Sequence, residues 1–262
     1  MRIAAFNVKK LGLSKVNNEA VQKTLIKIVS RYSVVVLLEV MGHGGRAMDK
    51  FLIELNNYGR NKHHPYAVER SEFLGRSSYR EQFVFFYRKD EVKMIDSYQY
   101  EEEEDEDVLA REPFILLFKC PNTVVQDLVL IPVHTKPEDA ERELDALHDV
   151  VEAVRERWDT DNIMILGDFN ADGRYLSRRR RESVRISSSV YHWLIDDDVD
   201  TTTSDSTDHT YDRIVVFGDA MYDAVVPKSA RPFNFQRAYH LSDAATQAVS
   251  DHYPVEVELK KN

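Results

Sequence analysis

The chain has 262 residues, of which 43% are hydrophobic and 10% aromatic, and this composition supports a substantial buried core. Its formal net charge of -10 at pH 7 argues against binding a polyanion through overall positive charge. No apolar run is long enough to span a membrane, the first residues lack a signal-peptide pattern, and Cys120 has no second cysteine to pair with, so we expect one soluble domain over residues 1–262.

Short strands with alternating or continuous apolar residues recur along the chain. We predict them at residues 3–8, 34–40, 82–87, 92–100, 114–118, 127–133, 163–166, 212–216 and 252–259. An amphipathic helix is predicted over residues 137–158, because Pro137 suits its first turn and an apolar stripe runs from Leu144 to Trp158. There is no strict βαβ order and no glycine-rich phosphate loop, so neither a Rossmann nor a P-loop fold is predicted.

Four of these strand ends carry acidic or amide side chains. In chain order they are Asn7, Glu39, Asp168 with Asn170, and Asp251 with His252. Positions two apart on an extended chain face the same way, so Asp168 and Asn170 are suited to one ligand. Carboxylate and carboxamide oxygens suit a hard cation such as magnesium, or a phosphate beside it. Taken alone, the same residues are more typical of an Asx turn after a strand.

These strand ends resemble the pattern of the endonuclease/exonuclease/phosphatase superfamily, and within it the chain most resembles the deoxyribonuclease I family. The likeness extends over nearly the whole length, and the segments around Tyr79, His134 and Tyr211 are specific to the deoxyribonuclease branch. The resemblance implies an α/β fold, a four-layer sandwich of two stacked mixed, mainly antiparallel sheets flanked by helices. Catalytic loops would then gather along one edge of the sandwich.

The resemblance also implies the residues of a phosphodiester-hydrolysing site. His252 would act as general base and His134 as general acid, with Asp212 and Glu81 as their respective carboxylate partners. A carboxylate bonded to one ring nitrogen fixes the tautomer and lets the other nitrogen exchange a proton. Glu39 is expected to hold the catalytic magnesium or manganese. The remaining catalytic or metal-binding side chains are expected to be Asn7, Asp168, Asn170 and Asp251.

Cations and aromatic side chains near these motifs are expected to contact DNA. They are Lys9, Arg46, Tyr79, Arg80, Arg111, Arg174, Tyr175, Tyr211, Arg178 and Arg179. The arginine that enters the DNA groove in the family has no clear match in segment 42–46. Either Arg46 takes its place from a shifted loop, or groove insertion is weaker in this chain. The arginine run 178–181 is interpreted as a phosphate-contacting patch, with a solvated helix face or a nuclear-import signal as alternatives. For Tyr175 and Tyr211, packing at the bases of loops is an equally good interpretation.

Structural calcium and disulfides distinguish members of the family. One calcium site is expected at Glu101, Asp107, the carbonyl of Leu109 and Glu112, and a second at Asp200 and Thr202. Secreted members join by a disulfide the positions occupied here by Gly173 and His209. Because that cross-link is absent and no Asn-x-Ser/Thr sequence occurs, we expect a cytoplasmic or nuclear protein, with a secreted chain as the alternative.

The resulting expectation is a monomeric endonuclease that cleaves double-stranded DNA with little sequence specificity, leaving 5′-phosphate and 3′-hydroxyl ends. Alternatives on the same fold are an abasic-site endonuclease, a phosphoinositide phosphatase and a sphingomyelinase. Abasic-site enzymes generally have tyrosine where His134 stands, and inositol phosphatases differ around Asp212, which favours the deoxyribonuclease. A non-catalytic relative that binds actin or DNA is a further alternative. Actin is also a candidate partner of the enzyme, although the segment 64–68 that would contact it is divergent.

Overall fold

The computed structural model describes residues 1–42 and 44–262, so the segment 42–46 lies partly outside the described residues. Within them, twelve strands form two six-stranded sheets. The first sheet contains β1 (Arg2–Leu11), β2 (Val34–Val40), β3 (Tyr66–Arg70), β4 (Gln82–Arg88), β11 (Arg231–Pro232) and β12 (Val255–Glu258). The second contains β5 (Lys93–Gln99), β6 (Phe114–Lys119), β7 (Asp127–His134), β8 (Ile163–Asp168), β9 (Tyr191–Trp193) and β10 (Asp212–Phe217).

The two sheets have matching arrangements. Their spatial orders are β11-β12-β1-β2-β4-β3 and β5-β6-β7-β8-β10-β9. In each sheet one central pair is parallel, β1 with β2 and β7 with β8, and the other neighbouring strands are antiparallel. The helices are α1 (Leu13–Asn17), α2 (Glu19–Val29), α3 (Arg46–Asn56), α4 (Ala140–Trp158), α5 (Arg178–Arg181), α6 (Asp219–Ala224), α7 (Phe235–Ala238) and α8 (Asp243–Val249). Short 3-10 turns lie at Gly59–Lys62, Pro137–Asp139 and Arg185–Ser187. Across the described ranges, no helix has both the length and the apolar character that crossing a membrane requires.

Alternating side chains of each strand supply two different cores, as an extended backbone requires. In β1, Ile3 belongs to the core between the sheets, whereas its neighbour Ala4 belongs to the core under α2 and α3. In β7, Leu130 belongs to the core between the sheets and Ile131 to the core under α4. The molecule therefore has four layers, which confirms the predicted fold class.

Helix α4 confirms the predicted amphipathic helix. Pro137 opens a 3-10 turn, and α4 continues from Ala140 to Trp158. The stripe that begins at Leu144 is buried against the second sheet. Trp158 at the end of α4 is only partly buried, and its indole N–H donates to Asp96 Oδ2 at 3.0 Å. This bond joins the end of α4 to the edge strand β5.

All nine predicted strands are present, and three further strands were not predicted. Strands β9 and β11 are only three and two residues long, and β3 is an edge strand of mixed polarity, so none has a strong apolar pattern. The last strand begins at Val255 rather than at residue 252, because Pro254 has no N–H to donate. That residues 1–262 form one domain stays a prediction.

The Cys120 thiol is expected to react slowly in the native protein. Its side chain is 1% exposed, and burial raises the pKa of the thiol to about 12. Labelling with a thiol-specific disulfide reagent at pH 8 should therefore proceed only after denaturant is added. Rapid stoichiometric labelling of the folded protein would contradict the burial of this residue.

Candidate active site

Three neighbouring strands of the second sheet meet at one place on its edge. The register pairs His134, the last residue of β7, with Asp168, the last residue of β8. It pairs Asp168 in turn with Asp212, the first residue of β10. Side chains at paired positions point to the same face of a sheet. The imidazole and both carboxylates therefore lie side by side.

Two imidazoles converge on Asp168. His134 and His252 each place Nε2 at 3.6 Å from Oδ2 of Asp168. On the opposite side of each ring, Nδ1 of His134 contacts Oε1 of Glu81, and Nδ1 of His252 lies 2.7 Å from Oδ2 of Asp212. The pairings expected from the family are thus present. Each ring is fixed through Nδ1 and keeps Nε2 for proton exchange.

The charges of this cluster favour protonated imidazoles. Although burial opposes the charge, Asp212 and Asp168 raise the pKa of His252 to about 10. Burial also opposes the charge on His134, yet Glu81 raises the pKa of this ring as well. Burial alone would raise the pKa of Asp168, but the positive charges of His252 and His134 lower it. Both rings are therefore suited to donate a proton, and these charges do not distinguish the base from the acid.

Two buried amides flank Asp168. Asn7 donates from Nδ2 to Oδ2 of Asp168 at 3.0 Å, although the two residues come from different sheets. The backbone N–H of Asn170 donates to Oδ1 of Asp168 at 3.1 Å, and its Nδ2 donates to the carbonyl of Thr135 at 3.0 Å. Asn170 has φ 46, a left-handed conformation that asparagine tolerates. The Asx turn therefore forms, and it also belongs to the buried cluster.

Tyr79 joins two carboxylates of the site. Its hydroxyl lies 3.0 Å from Oε1 of Glu39 and 3.1 Å from Oε2 of Glu81, and burial beside these groups raises its pKa. The ring remains half-buried, so its contact with DNA stays a prediction. Arg111 lies 3.2 Å from Glu81 and donates to the carbonyl of His134 at 2.9 Å. The interpretation of Arg111 as a DNA contact does not fit this position, because its guanidinium is turned inward and supports the Glu81–His134 pair.

The oxygen atoms at this edge suit a divalent cation. Oδ1 of Asp251 is buried, has no hydrogen-bond partner among the described residues, and lies 3.8 Å from Nε2 of His252. A buried carboxylate oxygen without a partner is unfavourable unless a cation or water satisfies it. Among the described residues, Asp168, Asp212 and His252 bring their ligand atoms within 4.8 Å of one another. This donor chemistry fits a hard divalent ion.

The predicted metal ligands differ from that group. Glu39, Asp168 and Asp251 do not bring their oxygens within 4.8 Å of one another in the described residues. The physical reason is that Glu39 lies on β2 of the first sheet, with φ 63 at a register shift, whereas Asp168 ends β8 of the second. Asn7 directs Nδ2 to Asp168, and its Oδ1 accepts from the N–H of Lys9 at 3.0 Å. The assignment of Glu39, Asp168, Asp251 and Asn7 as metal ligands therefore stays a prediction.

The first predicted calcium loop has a different inward residue. Glu102, rather than the exposed Glu101, accepts from the backbone N–H of Leu109 at 2.7 Å. Asp107 pairs with Arg76 at 2.8 Å. The ligands expected in this loop were Glu101, Asp107, Leu109 and Glu112, and no group of three acidic or histidine side chains converges there in the described residues.

The second predicted calcium loop supports the catalytic edge. Oδ1 of Asp200 accepts from the hydroxyl of Thr202 at 2.6 Å, so both predicted ligands are engaged with each other. The neighbouring hydroxyl of Thr201 donates to Oδ2 of Asp212 at 2.7 Å. Thr201 is fully buried and so helps to orient the Asp212–His252 pair. Sequence reasoning missed this role, because the run of threonines was interpreted only as oxygen-rich.

The arginine run forms α5, and neighbouring carboxylates neutralise most of it. Arg178 pairs with Glu182, Arg180 with Glu141 and Arg181 with Asp197, at 3.0, 2.5 and 2.6 Å. Arg181 is also buried, over the ring of Trp193 at 4.8 Å. The interpretation of the whole run as a phosphate-contacting patch is therefore too broad. Arg178, Arg179 and Arg180 are exposed, and of these Arg178 and Arg180 are paired with carboxylates.

The other predicted DNA contacts lie on the surface near the site. Lys9, Arg46, Arg80 and Arg174 are exposed. Lys9 lies 3.5 Å from Asp251, and Arg174 lies 3.0 Å from the hydroxyl of Tyr175. Arg46 begins α3, directly after a segment that is only partly described. The DNA-binding roles of these side chains stay predictions.

Aromatic rings pack beside His252. The ring centroid of Tyr211 lies 6.4 Å from that of His252, 5.7 Å from that of Tyr175 and 4.9 Å from that of His209. The packing interpretation of Tyr175 and Tyr211 is therefore correct, whether or not they also contact phosphate. The ring of His209 lies so close to Gly173 that a Cβ there would meet it at 3.0 Å. A noncovalent contact thus joins the two positions at which the family resemblance implies a disulfide.

Comparison with known proteins agrees with this site. The model of the Endonuclease/Exonuclease/phosphatase family matches residues 4–252. The Deoxyribonuclease-1 of Canis lupus familiaris is 46% identical, covering 100% of this chain and 92% of the relative. The Deoxyribonuclease-1 of Mus musculus is 45% identical with the same coverage. Deoxyribonuclease-1-like 1 of Cricetulus griseus is 41% identical, over 99% of this chain and 84% of the relative.

These relatives correct the expected location. The prediction of a cytoplasmic or nuclear protein is wrong, because the Deoxyribonuclease-1 relatives are secreted, and the alternative of a secreted chain fits them. The inference failed because a missing cysteine pair shows only that no cross-link forms. It does not determine the compartment, since contacts such as that of His209 with Gly173 can join the same loops.

Solved structures show the same fold at low sequence identity. The catalytic domain of human Nocturnin with bound sulfate has a TM-score of 0.66 at 15% identity, covering 100% of this chain and 94% of that one. A family protein from Leptotrichia buccalis has a TM-score of 0.68 at 15% identity, covering 99% of each chain. Together with the family match over residues 4–252 and the 46% identity over the full chain, they place this protein in the endonuclease/exonuclease/phosphatase superfamily, as a member of the deoxyribonuclease I family.

Proposed function

We propose that this deoxyribonuclease I-family nuclease cleaves double-stranded DNA in a divalent-metal-dependent reaction with little sequence specificity. Water attacks phosphorus and loses a proton, the P–O3′ bond breaks, and O3′ gains a proton. The products are 5′-phosphate and 3′-hydroxyl ends. One observation carries the proposal: Nε2 of His134 and Nε2 of His252 both lie 3.6 Å from the same oxygen of Asp168.

The two imidazoles would divide the proton transfers. A phosphate seated in front of Asp168 would have one ring beside the attacking water and the other beside O3′, and the pairs with Glu81 and Asp212 keep each ring oriented. We propose His252 as the base, acting in the fraction of molecules whose His252 ring is neutral, and His134 as the acid. Asn7 and Asn170 would hold the non-bridging oxygens by their amides. Asn170 would have to exchange its bond to Thr135 for one to phosphate.

We propose magnesium or manganese as the metal. Asp168 and Asp251 would hold it, with Glu39 and Asn7 completing the oxygen shell and His252 close by. When bound, the ion stabilises negative charge on the phosphate oxygens. The buried Oδ1 of Asp251 supports this proposal, because no donor in the described part of the chain satisfies it.

Calcium at the loops around Glu101–Glu112 and Asp200–Thr202 is a separate proposal. The acidic composition of both loops supports it, and a ligand that binds only the folded state raises stability. EGTA is then expected to lower Tm, and added calcium to restore it, as measured by circular dichroism in the absence of other metals. An identical Tm in EGTA and in millimolar calcium would contradict this proposal.

The exposed part of the arginine run should make a small contribution to DNA affinity. Each phosphate contact contributes about 0.9 to the slope of log affinity against log salt. Since Arg178 pairs with Glu182 and Arg179 is exposed, the variant R178S/R179S should lower that slope by about 1. Binding of duplex DNA to the variant in a metal-free H252A background measures it.

The control for this measurement is R60S. Arg60 is exposed on the turn Gly59–Lys62, which precedes the end of β3 that pairs with Arg88. Arg88 is at the opposite end of β4 from Gln82, so Arg60 is remote from Gln82 and Glu39 at the catalytic edge. The R60S variant loses one positive charge and should leave the slope of log affinity against log salt unchanged. Substituting all four arginines would not test the patch, because Arg181 is buried. An unchanged slope in R178S/R179S would remove these residues from the DNA-binding surface.

One assay separates the proposed activity from its alternatives. Supercoiled plasmid, a synthetic abasic duplex and a phosphoinositide are each incubated with Mg²⁺, with Ca²⁺ plus Mg²⁺, or with EDTA. We expect nicking of the plasmid that EDTA abolishes, without preference for the abasic duplex. End-labelling should detect 5′-phosphates. Preference for the abasic site, or release of phosphate from the lipid, would assign the chain to another activity of the same fold.

A further inference from the structure

Lys15 is a half-buried lysine next to the catalytic edge. It lies in α1, and its Nζ donates to three backbone carbonyls, those of Val8 at 2.8 Å, Lys9 at 2.7 Å and Val249 at 2.5 Å. An ammonium group has three N–H donors, so these bonds use all of them. Neither the motifs nor the expected chemistry of the site assigns Lys15 a role.

The three carbonyls belong to the two segments that carry the catalytic side chains. Val8 and Lys9 follow Asn7, and Val249 precedes the Ser250-Asp251-His252 motif. The hydroxyl of Ser250 donates to the carbonyl of Asn7 at 2.6 Å, which joins the same two segments. Lys15 therefore lies at the junction between the Asn7 side and the His252 side of the site.

The backbone at this junction is strained and needs support. The register of β1 with β2 shifts between Asn7 and Leu11, and residues 8–10 have no register partner on β2. Lys9 and Lys10 have φ 43 and 51, left-handed values that are unfavourable for lysine. Carbonyls that leave a strand ladder require other donors. The ammonium of Lys15 supplies donors for two of them.

Only a charged lysine can satisfy all three acceptors. The neutral amine has two N–H donors and directs a lone pair at a carbonyl, which leaves one acceptor unpaired. Burial lowers the pKa of Lys15 to about 8, with Asp251 and Glu39 opposing that change and Lys9 adding to it. These three side chains are the charged groups that act on Lys15 most strongly.

We propose that Lys15 is a positioning residue of the nuclease site. Its ammonium holds the bulge of β1 against the segment before Asp251, so that Asn7, Asp251 and His252 keep their relative positions. The inference rests on the proposed function for its kinetic effect, but the positions of Asn7 and Asp251 also determine cation binding, which can be measured without DNA.

The test compares K15M, K15R and the control K23M. Lys23 is exposed on α2 and pairs with Glu19, so K23M should behave as the wild type. Substituting residues that hold metal ligands in place typically lowers metal affinity or activity by about 10- to 100-fold. K15M is expected to show a loss of that size in the rate of plasmid nicking. It should also require a higher Mn²⁺ concentration to reach half of the metal-induced rise in Tm.

The pH profile provides the readout that a merely structural role would not change. The wild type should lose relative activity and Mn²⁺ affinity above pH 8, as Lys15 loses its proton. K15R stays charged, so its alkaline decline should move to higher pH. If K15M does not fold, the comparison of the pH profiles of K15R and the wild type still tests the positioning role.

Two results would overturn the inference. One is a folded K15M with wild-type activity and Mn²⁺ requirement, and the other is a K15R variant whose alkaline decline coincides with that of the wild type. If the wild type does not nick DNA at all, the proposed function fails. The Mn²⁺-induced rise in Tm of the three variants then still tests the positioning role.

Discussion

Replacing His252 by alanine is expected to lower the turnover of plasmid nicking by ~10²–10⁴-fold, and H134A should do the same, because each ring performs one of the two proton transfers. Both rings reach Asp168 through Nε2 at 3.6 Å and are held through Nδ1. Removing either leaves the phosphate with one partner for proton exchange. The rate of conversion of supercoiled to open-circular plasmid under saturating DNA measures the effect.

His192 provides the matched control. It lies on β9, with Nε2 at 2.9 Å from Asp219, and no role in the site follows from its position. The variant H192A should keep wild-type turnover. If H252A and H134A both nick DNA at near-native rates, the two imidazoles are not the proton-transfer groups and the mechanism is wrong.

The variant D168N should lose at least about 10³-fold in turnover, since one preorganised electrostatic group at a reacting centre contributes about 10²–10³ and Asp168 serves several functions. It accepts from Asn7, faces both imidazoles and offers an oxygen to the cation. Asparagine keeps the shape and removes the charge. The pKa of His252 should also fall, because Asp168 is one of the carboxylates that raise it.

Two measurements separate this effect from misfolding. The Tm of D168N should remain close enough to the wild type for the protein to be folded at the assay temperature, and an NMR titration of His252 should show the lower pKa. D161N is the control, because Asp161 is exposed and precedes the opposite end of β8. Turnover of D168N within tenfold of the wild type would show that Asp168 is not central to the reaction.

The edge of the sheets that carries the site was predictable from the sequence, and the reason is geometric. Polar residues at the ends of apolar strands stand out against the pattern, and His134, Asp168 and Asp212 occupy directly paired positions once β7, β8 and β10 align. The partners of both imidazoles followed from the family resemblance. The four layers also followed from the family resemblance, and the strands whose two faces are both buried account for them physically.

Other parts of the site depend on contacts between segments that are distant in sequence. No local pattern shows that Arg111 turns inward to Glu81, or that the hydroxyl of Thr201 reaches Asp212. Lys15 appears in sequence as an ordinary surface lysine, and only the fold shows that it is half-buried against the bulge of β1. Such residues satisfy buried polar groups, and their roles emerge only after the chain has folded.

Charge was the least reliable guide in the sequence. The arginines of α5 suggested a polyanion-binding patch, but three of them pair with neighbouring carboxylates. Surface pairs of this kind contribute little to stability, yet they reduce the positive potential available to DNA. The net charge of -10 and this pairing both predict weak, salt-sensitive association with DNA.

The central claim is that His134, His252 and Asp168 act as one metal-dependent hydrolytic unit, and a double-mutant cycle tests it most directly. Plasmid nicking in Mn²⁺ is measured for the wild type, H134A, H252A and H134A/H252A. Groups that act as a unit are strongly non-additive, so the double variant should be little slower than the slower single variant, and EDTA should abolish the wild-type activity. A double variant whose loss equals the product of the two single losses, or wild-type nicking that persists in EDTA, would contradict the account.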